Sequence, residues 1–531
     1  MGAGVSGTYC AWRLQQALGG DAKLRLFEGS SRIGGRLHTV ALPGQPQLKA
    51  EFGGMRYIPD RQSLVASLVT QLDLPTDDLP APAPPNRFFL RGQRLGYGEL
   101  GDLNQVSYDL PGRFRGLGPA GIQTRILSDI APEMADMSLD ALMDVEVFGV
   151  PLWKHRFWDL LLQILGVDGR QFMMDAAGYD GQVTDASAVT HLPATDFPAT
   201  TRFVTLRDGF DQLPKTLAQR FEDHVTGGIP RGHRVRLDHR LVAVLSDGGA
   251  GPYTLVFDAT NPAATVSPDA TKTVHREVRT RKVVLALPRR SLQLITGAFF
   301  HDPWVERSIP AVLSQGSSRL FLAYERPWWH DLGLDGGHSV TDLPIRKVFY
   351  LGPDARGDEE PAAIGSLLMA SFNASSAGGF WKGLESGERH TGYRPAGLAK
   401  QPGDAMSGGE HAATKEMVRQ ANRQVAAVHG LRELPMPYRA AYHTWDRDPF
   451  GGGWHAWRAG YRPGEVAARM RRPVPGQDIY IVGEAYSLRQ GWVEGALETT
   501  ESTLQEFFDL GTPAWLAPGS RRHACGTTSA G

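Results

Sequence analysis

The chain has 531 residues, too many for one hydrophobic core, so two or three domains are expected. Its charge is nearly balanced, with 56 Lys and Arg against 57 Asp and Glu, which excludes an electrostatic nucleic-acid binder. Two cysteines, Cys10 and Cys525, leave no disulfide framework and no cysteine-based metal site, and no apolar run approaches the roughly 18 residues that span a bilayer.

The first segment, Met1-Gly2-Ala3-Gly4-Val5-Ser6-Gly7, is a G-x-G-x-x-G loop opening straight into a helix. In such a loop Gly2 makes the tight turn, Gly4 lets the backbone approach a pyrophosphate, and Gly7 lets the helix pack closely on a sheet. Ala3 and Ser6 complete the phosphate-facing backbone, and the helix N-terminus adds unpaired N–H groups and a partial positive charge. Gly7, Ala11, Leu14 and Leu18 share one helical face, and Gly19-Gly20 stop the helix. Lys23 to Phe27 then alternates as a short strand ending at Glu28, about 20 residues past the loop, where an acid for ribose hydroxyls belongs. A carboxylate there repels a 2'-phosphate, so NADP is disfavoured. The loop should follow a buried strand, yet only Met1 precedes it, so the first strand of the fold is expected to be missing.

Next come Arg32-Ile33-Gly34-Gly35-Arg36 and Glu51-Phe52-Gly53-Gly54-Met55-Arg56-Tyr57. Glycines permit backbone contact with a flat ring, and a guanidinium can fork onto phosphate oxygens. A strand-end acid followed by R-x-G-G-R and G-G-x-R segments resembles the flavin amine oxidase family, most closely its bacterial-type FAD-dependent L-amino acid oxidases. The resemblance implies non-covalent FAD held without NAD, with Gly35 and Arg36 near the pyrophosphate and Gly53, Gly54 and Met55 beside the isoalloxazine ring. In that subfamily the arginine standing at Arg56 pairs with the substrate carboxylate.

Pro75 to Pro85 is proline-rich and reads as a linker or extended surface segment. Ile122 to Leu165 carries several helical patterns, notably Trp153 to Leu165, and reads as a helical insertion over the active site. Ala176 to Asp180 is a helix-ending turn with a packed Tyr179. Gly209 to Pro214 opens a helix through Phe221, resembling the family's return to its FAD domain. Val235 to Val244 and Tyr253 to Phe257 are strands, and by the same resemblance Val242 offers backbone groups to the adenine. Lys282 to Leu287 is a buried parallel-type strand ended by Pro288.

Leu313 to Val425 reads as the substrate domain. Its edge strand, Ser317 to Leu322, carries Arg319 where family members usually have a lysine that holds a water near flavin N5. An arginine keeps the positive charge but cannot act as a tunable base. Thr341 to Tyr350 is similar to the L-amino acid oxidases in particular, and the resemblance assigns the Tyr350 hydroxyl to the substrate carboxylate beside Arg56. A fork of donors and a phenol would fix the carboxylate in plane and aim the Cα hydrogen at the flavin.

In the C-terminal third, Trp445 precedes the turn Gly451-Gly452-Gly453, resembling the family's flavin-edge tryptophan. Monoamine oxidases attach FAD through a cysteine near this turn, and none occurs here. Ile479 to Val482 runs into Gly483-Glu484, and Gly491-Trp492-Val493 begins a helix to about Phe508. By the resemblance Glu484 binds a flavin-chain hydroxyl, and Trp492 and Val493 aim the helix dipole at the flavin's N1 and O2 edge, with Trp492 also walling the substrate pocket. After Gly511 the composition turns to Pro, Gly, Ser, Thr and Arg, which predicts a disordered tail.

The expected architecture is α/β: a Rossmann-like FAD-binding domain in segments 1–60, 199–300 and 435–511, an α+β substrate-binding domain at 301–434 entered through 61–95, a helical insertion at 96–198, and a tail from 512 to 531. The resemblance implies oxidative deamination of an L-amino acid by dioxygen, through hydride transfer from Cα to flavin N5, giving a 2-oxo acid, ammonia and hydrogen peroxide. Alternatives are an amine or polyamine oxidase, an L-amino acid monooxygenase, or a flavin-binding protein without turnover. Neither a metal, a nucleic acid nor a membrane is expected. The resemblance suggests a homodimer, and the lack of a visible signal peptide suggests a cytoplasmic location.

Overall fold

The computed structural model describes the whole chain except residues 19–21, 43–44, 102–106, 134–136, 179–184, 194–200, 227–228, 231, 247–250, 261–272, 352–364, 375–376, 397–409 and 517–531. Tyr179 and Asp180 therefore lie outside the described residues, as does most of the tail.

The helix Val5–Leu18 buries Tyr9, Trp12 and Leu14. It packs against the helices Gln212–Glu222 and Val493–Phe508, so three distant stretches of sequence build one layer. Two buried polar contacts lock the first helix to the last: the Tyr9 hydroxyl donates to Glu501 Oε2 at 2.7 Å, and Arg13 pairs with Glu501 Oε1 at 3.0 Å. Hydrogen-bonded partners of this kind are what make a buried ion pair tolerable.

Leu26–Phe27 pairs in parallel with Val235–Arg236, and Val283–Leu285 pairs in parallel with Ile479–Ile481. Between these pairs, where the missing strand was expected, stand Met1 and Gly2. The Met1 amine donates to the Val284 carbonyl at 2.7 Å, the Met1 carbonyl accepts from Ala286 N–H at 2.8 Å, and Gly2 N–H donates to the Phe27 carbonyl at 2.8 Å. A three-stranded antiparallel sheet, His239–Ser246, Tyr253–Thr260 and Thr273–Thr280, packs alongside, with Phe257 stacked on Phe27 at 4.5 Å between ring centroids.

The substrate domain is a seven-stranded sheet in the order Arg439–Thr444, Ser318–Tyr324, Ser366–Asn373, Lys347–Leu351, His338–Thr341, Arg87–Leu90, Gln93–Gly96. Strand alternation divides its core. Leu320, Leu322, Val348, Tyr350 and Leu368 face the helix Lys415–His429, while Phe321, Phe349 and Met369 face Leu48 and Phe52.

Three expectations are corrected. The strand bearing Arg319 is not an edge, because Arg439–Thr444 pairs along its outer side. That outer strand also belongs to the substrate sheet, so the FAD domain resumes after Thr444 rather than at 435. Of the two readings of the proline-rich 75–85 segment, the extended one holds for Thr76–Leu79, which pairs antiparallel with Phe203–Leu206, so it is no mere linker. Nor is the tail loose where it is described. Trp515 packs on Tyr9 and Trp12 with ring centroids 6.3 and 6.2 Å apart, because the first helix exposes an aromatic face that a neighbouring indole can cover.

The insertion folds around its own core of Ile122, Ile126, Leu160, Leu161 and Phe172, joined to the sheet through Phe88 and Val340. No helix among the described residues is long and apolar enough to cross a membrane.

Candidate active site

The glycine loop forms one wall of a cavity with about 1240 Å³ of unfilled space, open at its mouth. From the sequence-derived set, Gly2, Gly4, Ser6, Glu28, Gly35, Arg36, Gly54, Gly483, Glu484, Trp492 and Val493 all line it.

Local backbone chemistry explains the wall. Gly2 has φ +90°, and a Cβ there would overlap the Ala286 carbonyl oxygen. Gly35, at φ +58°, rests directly on Gly4, so the second glycine motif is packed against the first. Gly7 lies behind the loop rather than on the cavity, and its missing side chain leaves room for the Gly2 carbonyl. Ala3 is also behind the wall; its N–H donates to Glu28 Oε2 at 2.7 Å, while Ser30 N–H donates to Glu28 Oε1 at 2.8 Å. Glu28 is thus held at the strand end, facing the cavity. Two helix N-termini, at Val5 and at Val493, converge on this space and supply positive partial charge from both sides. Side-chain-free walls, paired helix ends and an acid on a strand end fit FAD, and these residues would hold it.

At the opposite wall Arg36 Nη1 pairs with Glu484 Oε2 at 2.7 Å. His455 was not singled out by sequence, yet its Nδ1 lies 2.8 Å from the same oxygen, and its backbone N–H and that of Gly491 donate to Oε1 at 2.9 and 2.8 Å. Burial alone would raise the Glu484 carboxyl pKa; the Arg36 charge and then His455 outweigh it and hold the group well below the usual carboxylate range. Burial lowers the His455 pKa against the pull of the Glu484 carboxylate beside its Nδ1. Nothing in the sequence around His455 marks it, since its partner is 29 residues away.

Other predicted residues stand off the cavity. Gly53 lies against the Arg36 carbonyl, and its own carbonyl accepts from Arg319 Nη2 at 3.1 Å. Met55 packs half-buried against the cluster of Phe52, Phe321 and Phe349. Trp445 is buried, donating from Nε1 to the Phe52 carbonyl at 2.7 Å, and does not line the cavity. Val242 is a correction. It sits at a bulge, skipped in the register with the next strand, and its carbonyl is taken by Thr296 N–H at 2.9 Å. Its neighbours Arg240 and Leu241 line the cavity instead, with Leu294 and Ile295.

The face of the substrate sheet that packs toward Phe52 carries aromatic rings flanked by guanidiniums. Arg56 lies 3.9 Å over Phe203 and 6.0 Å from Phe349; Arg319 lies 3.9 Å over Phe372, and the Phe349 and Phe372 centroids are 5.4 Å apart. Tyr350 is the main correction. One residue past Phe349, it points through the other face of the strand, where it is 2 % exposed and its hydroxyl is shared between Ser339 Oγ and His429 Nε2, each at 2.8 Å. Period-two alternation cannot put Phe349 and Tyr350 on one side, so Tyr350 does not face the same side as Arg56. Trp454, adjoining the glycine turn, joins Trp492 on the cavity wall.

The flavin containing amine oxidoreductase family model matches residues 5–394. Aplysianin-A of Aplysia kurodai is 28% identical over 96% of this chain and 89% of its own length, and achacin of Lissachatina fulica is 26% identical over 96% and 92%. An L-amino-acid oxidase of Mus musculus is 24% identical over 94% of this chain and 68% of its own length. A putrescine oxidase redesigned in its cofactor binding shares the fold, with a TM-score of 0.64, 16% identity, and coverage of 96% of this chain and 97% of that one. The chain therefore belongs to the flavin containing amine oxidoreductases, FAD-dependent enzymes that oxidise amine substrates.

Proposed function

We propose that the chain is an L-amino acid oxidase, converting an L-amino acid, dioxygen and water to a 2-oxo acid, ammonia and hydrogen peroxide. The observation that carries this reading is Arg56, a guanidinium just beyond cavity-lining Gly54 and stacked between Phe203 and Phe349 on the face of the substrate sheet that packs toward Phe52. A planar fork of donors held over a ring suits an α-carboxylate, which a simple amine lacks. The relative from Mus musculus named L-amino-acid oxidase supports the same choice.

FAD, when bound, supplies the two-electron oxidant. The protein's part is orientation: Arg56 fixes the carboxylate, while Trp492 and Trp454 wall the space and limit water. Arg319, held by the Gly53 carbonyl and the Phe372 ring, contributes a fixed positive charge and no proton transfer. A substrate amine that arrives neutral needs no protein base.

Anaerobic mixing of the yellow holoenzyme with a panel of L-amino acids and of free amines tests the reading. Bleaching of the flavin band by amino acids alone is the expected result, with a 2-oxo acid and peroxide formed in air. Bleaching by amines alone assigns the chain to the amine oxidases. An amide product marks monooxygenation, and no bleaching by either class overturns turnover altogether.

A further inference from the structure

A second cleft, open to solvent, lies where the parallel strand pair meets the three-stranded sheet. It lies on the face of Leu26–Phe27 opposite the one that Ala3, Ala11 and Leu26 bury, so it is separate from the flavin cavity. Its floor is Phe27, His239 and Ala259.

Strand register decides what surrounds that floor. Phe27 is the register partner of Arg236, and parallel partners point to the same side. Arg25, two residues before Phe27, projects with them. On the facing sheet Arg276 is the partner of Phe257, whose ring stacks on Phe27, so its guanidinium is directed toward the same cleft. Three arginines from three strands thus line one opening.

None of the three has a carboxylate partner among the described residues. The nearby Asp258 is committed to Arg240 at 2.8 Å and to His275 at 3.0 Å. Among the described residues Glu277 is the one acid that lines the cleft, and it makes no ion pair with the three arginines. The walls are already fixed: Glu28 N–H donates to the Arg236 carbonyl and His239 N–H to the Glu28 carbonyl, both at 2.8 Å, and His239 Nδ1 lies 2.7 Å from the Leu237 carbonyl.

We infer that this cleft binds a small ligand bearing a di- or triphosphate. Guanidiniums match phosphate oxygens in pairs, and three lining one opening from three strands concentrate positive charge that favours a polyphosphate over a singly phosphorylated ligand. Phe27 and Ala259 offer the floor no charge, and the His239 Nδ1 is already engaged by the Leu237 carbonyl, so charge recognition falls to the arginine walls.

The test is calorimetric titration of the flavin-loaded protein, so that nucleotides cannot enter the flavin cavity. Inorganic pyrophosphate and ADP are the two probes. Both should bind, and more weakly as salt rises. Equal affinity means that the phosphates alone are recognised, and tighter ADP adds contacts to the nucleoside. Arg236→Gln and Arg276→Gln should each weaken binding about tenfold or more, with an unchanged flavin spectrum showing that the variants are folded. Absence of binding to the unaltered protein overturns the proposal, as does unaltered affinity in the double variant.

Discussion

Arg36 and Glu484 meet across 2.7 Å at the wall of the flavin cavity, tying the second glycine motif to the strand end near the C-terminus. Both partners are needed, because Glu484 is buried and accepts four hydrogen bonds or ion contacts in all. Glu484→Gln should destabilise the protein by about 3 kcal/mol and speed flavin loss, measured by denaturant unfolding and release of flavin fluorescence. The folded pKa is depressed, so the stabilisation is complete above the unfolded carboxyl value of about 4.3 and is lost as pH falls through the lower folded value. The gap between the two proteins should therefore hold from neutral pH down to about pH 4 and close only in stronger acid.

Glu51 titrates in the opposite sense. Burial pushes its carboxyl up to about 7, against hydrogen bonds from Phe210 N–H at 2.8 Å and Thr39 Oγ1 at 2.9 Å. A raised carboxyl pKa costs stability as pH rises from the unfolded value of about 4.3 to the folded value. Glu51→Gln removes that cost, and the variant should gain roughly 2 kcal/mol on the wild type by pH 8 relative to pH 4, after allowance for partial exposure. Equal pH profiles of the melting temperature would contradict this.

Arg56 and Tyr350 should separate cleanly by kinetics. Arg56→Ala removes a charged fork and should raise the KM for an L-amino acid by about 100-fold with flavin retained. Tyr350→Phe should leave KM within about twofold and cost about 1 kcal/mol of stability, through the lost contacts to Ser339 and His429. A large KM effect from Tyr350→Phe would return that hydroxyl to the substrate.

Gly7→Ala should yield colourless protein. The added methyl would strike the Gly2 carbonyl and push the phosphate loop out of place. The measurement is the ratio of flavin to protein absorbance after purification, with far-ultraviolet dichroism to show that the fold persists.

Trp515→Ala should lower stability by about 1–3 kcal/mol by uncovering Tyr9 and Trp12, with little change in kcat, since the indole does not line the flavin cavity.

Most of the cofactor site is readable from the chain because it is built of local backbone. Gly2 to Gly7, Gly34-Gly35-Arg36 and Gly483-Glu484 each carry their conformation in a few adjacent residues, and glycine shows where side chains must be absent. What failed depends on tertiary register. Tyr350 and Phe349 differ by one position, which sends them to opposite faces, and no local pattern fixes which face meets the flavin. Val242 was misplaced by a bulge, which sequence does not announce. His455 reaches Glu484 only through the fold, and Trp515 lay in a stretch whose composition suggested disorder although one large indole was enough to dock it.

The cavity draws its walls from the first loop, from Arg240 and Leu241, and from Gly483 to Ala496. A ribosome still shielding the last of these has released a chain whose flavin seat lacks a side, and Arg13 and Tyr9 still wait for Glu501. The flavin seat is therefore complete only once Gly483 to Ala496 have left the ribosome, and until then a nascent chain must keep its earlier apolar surfaces from aggregating.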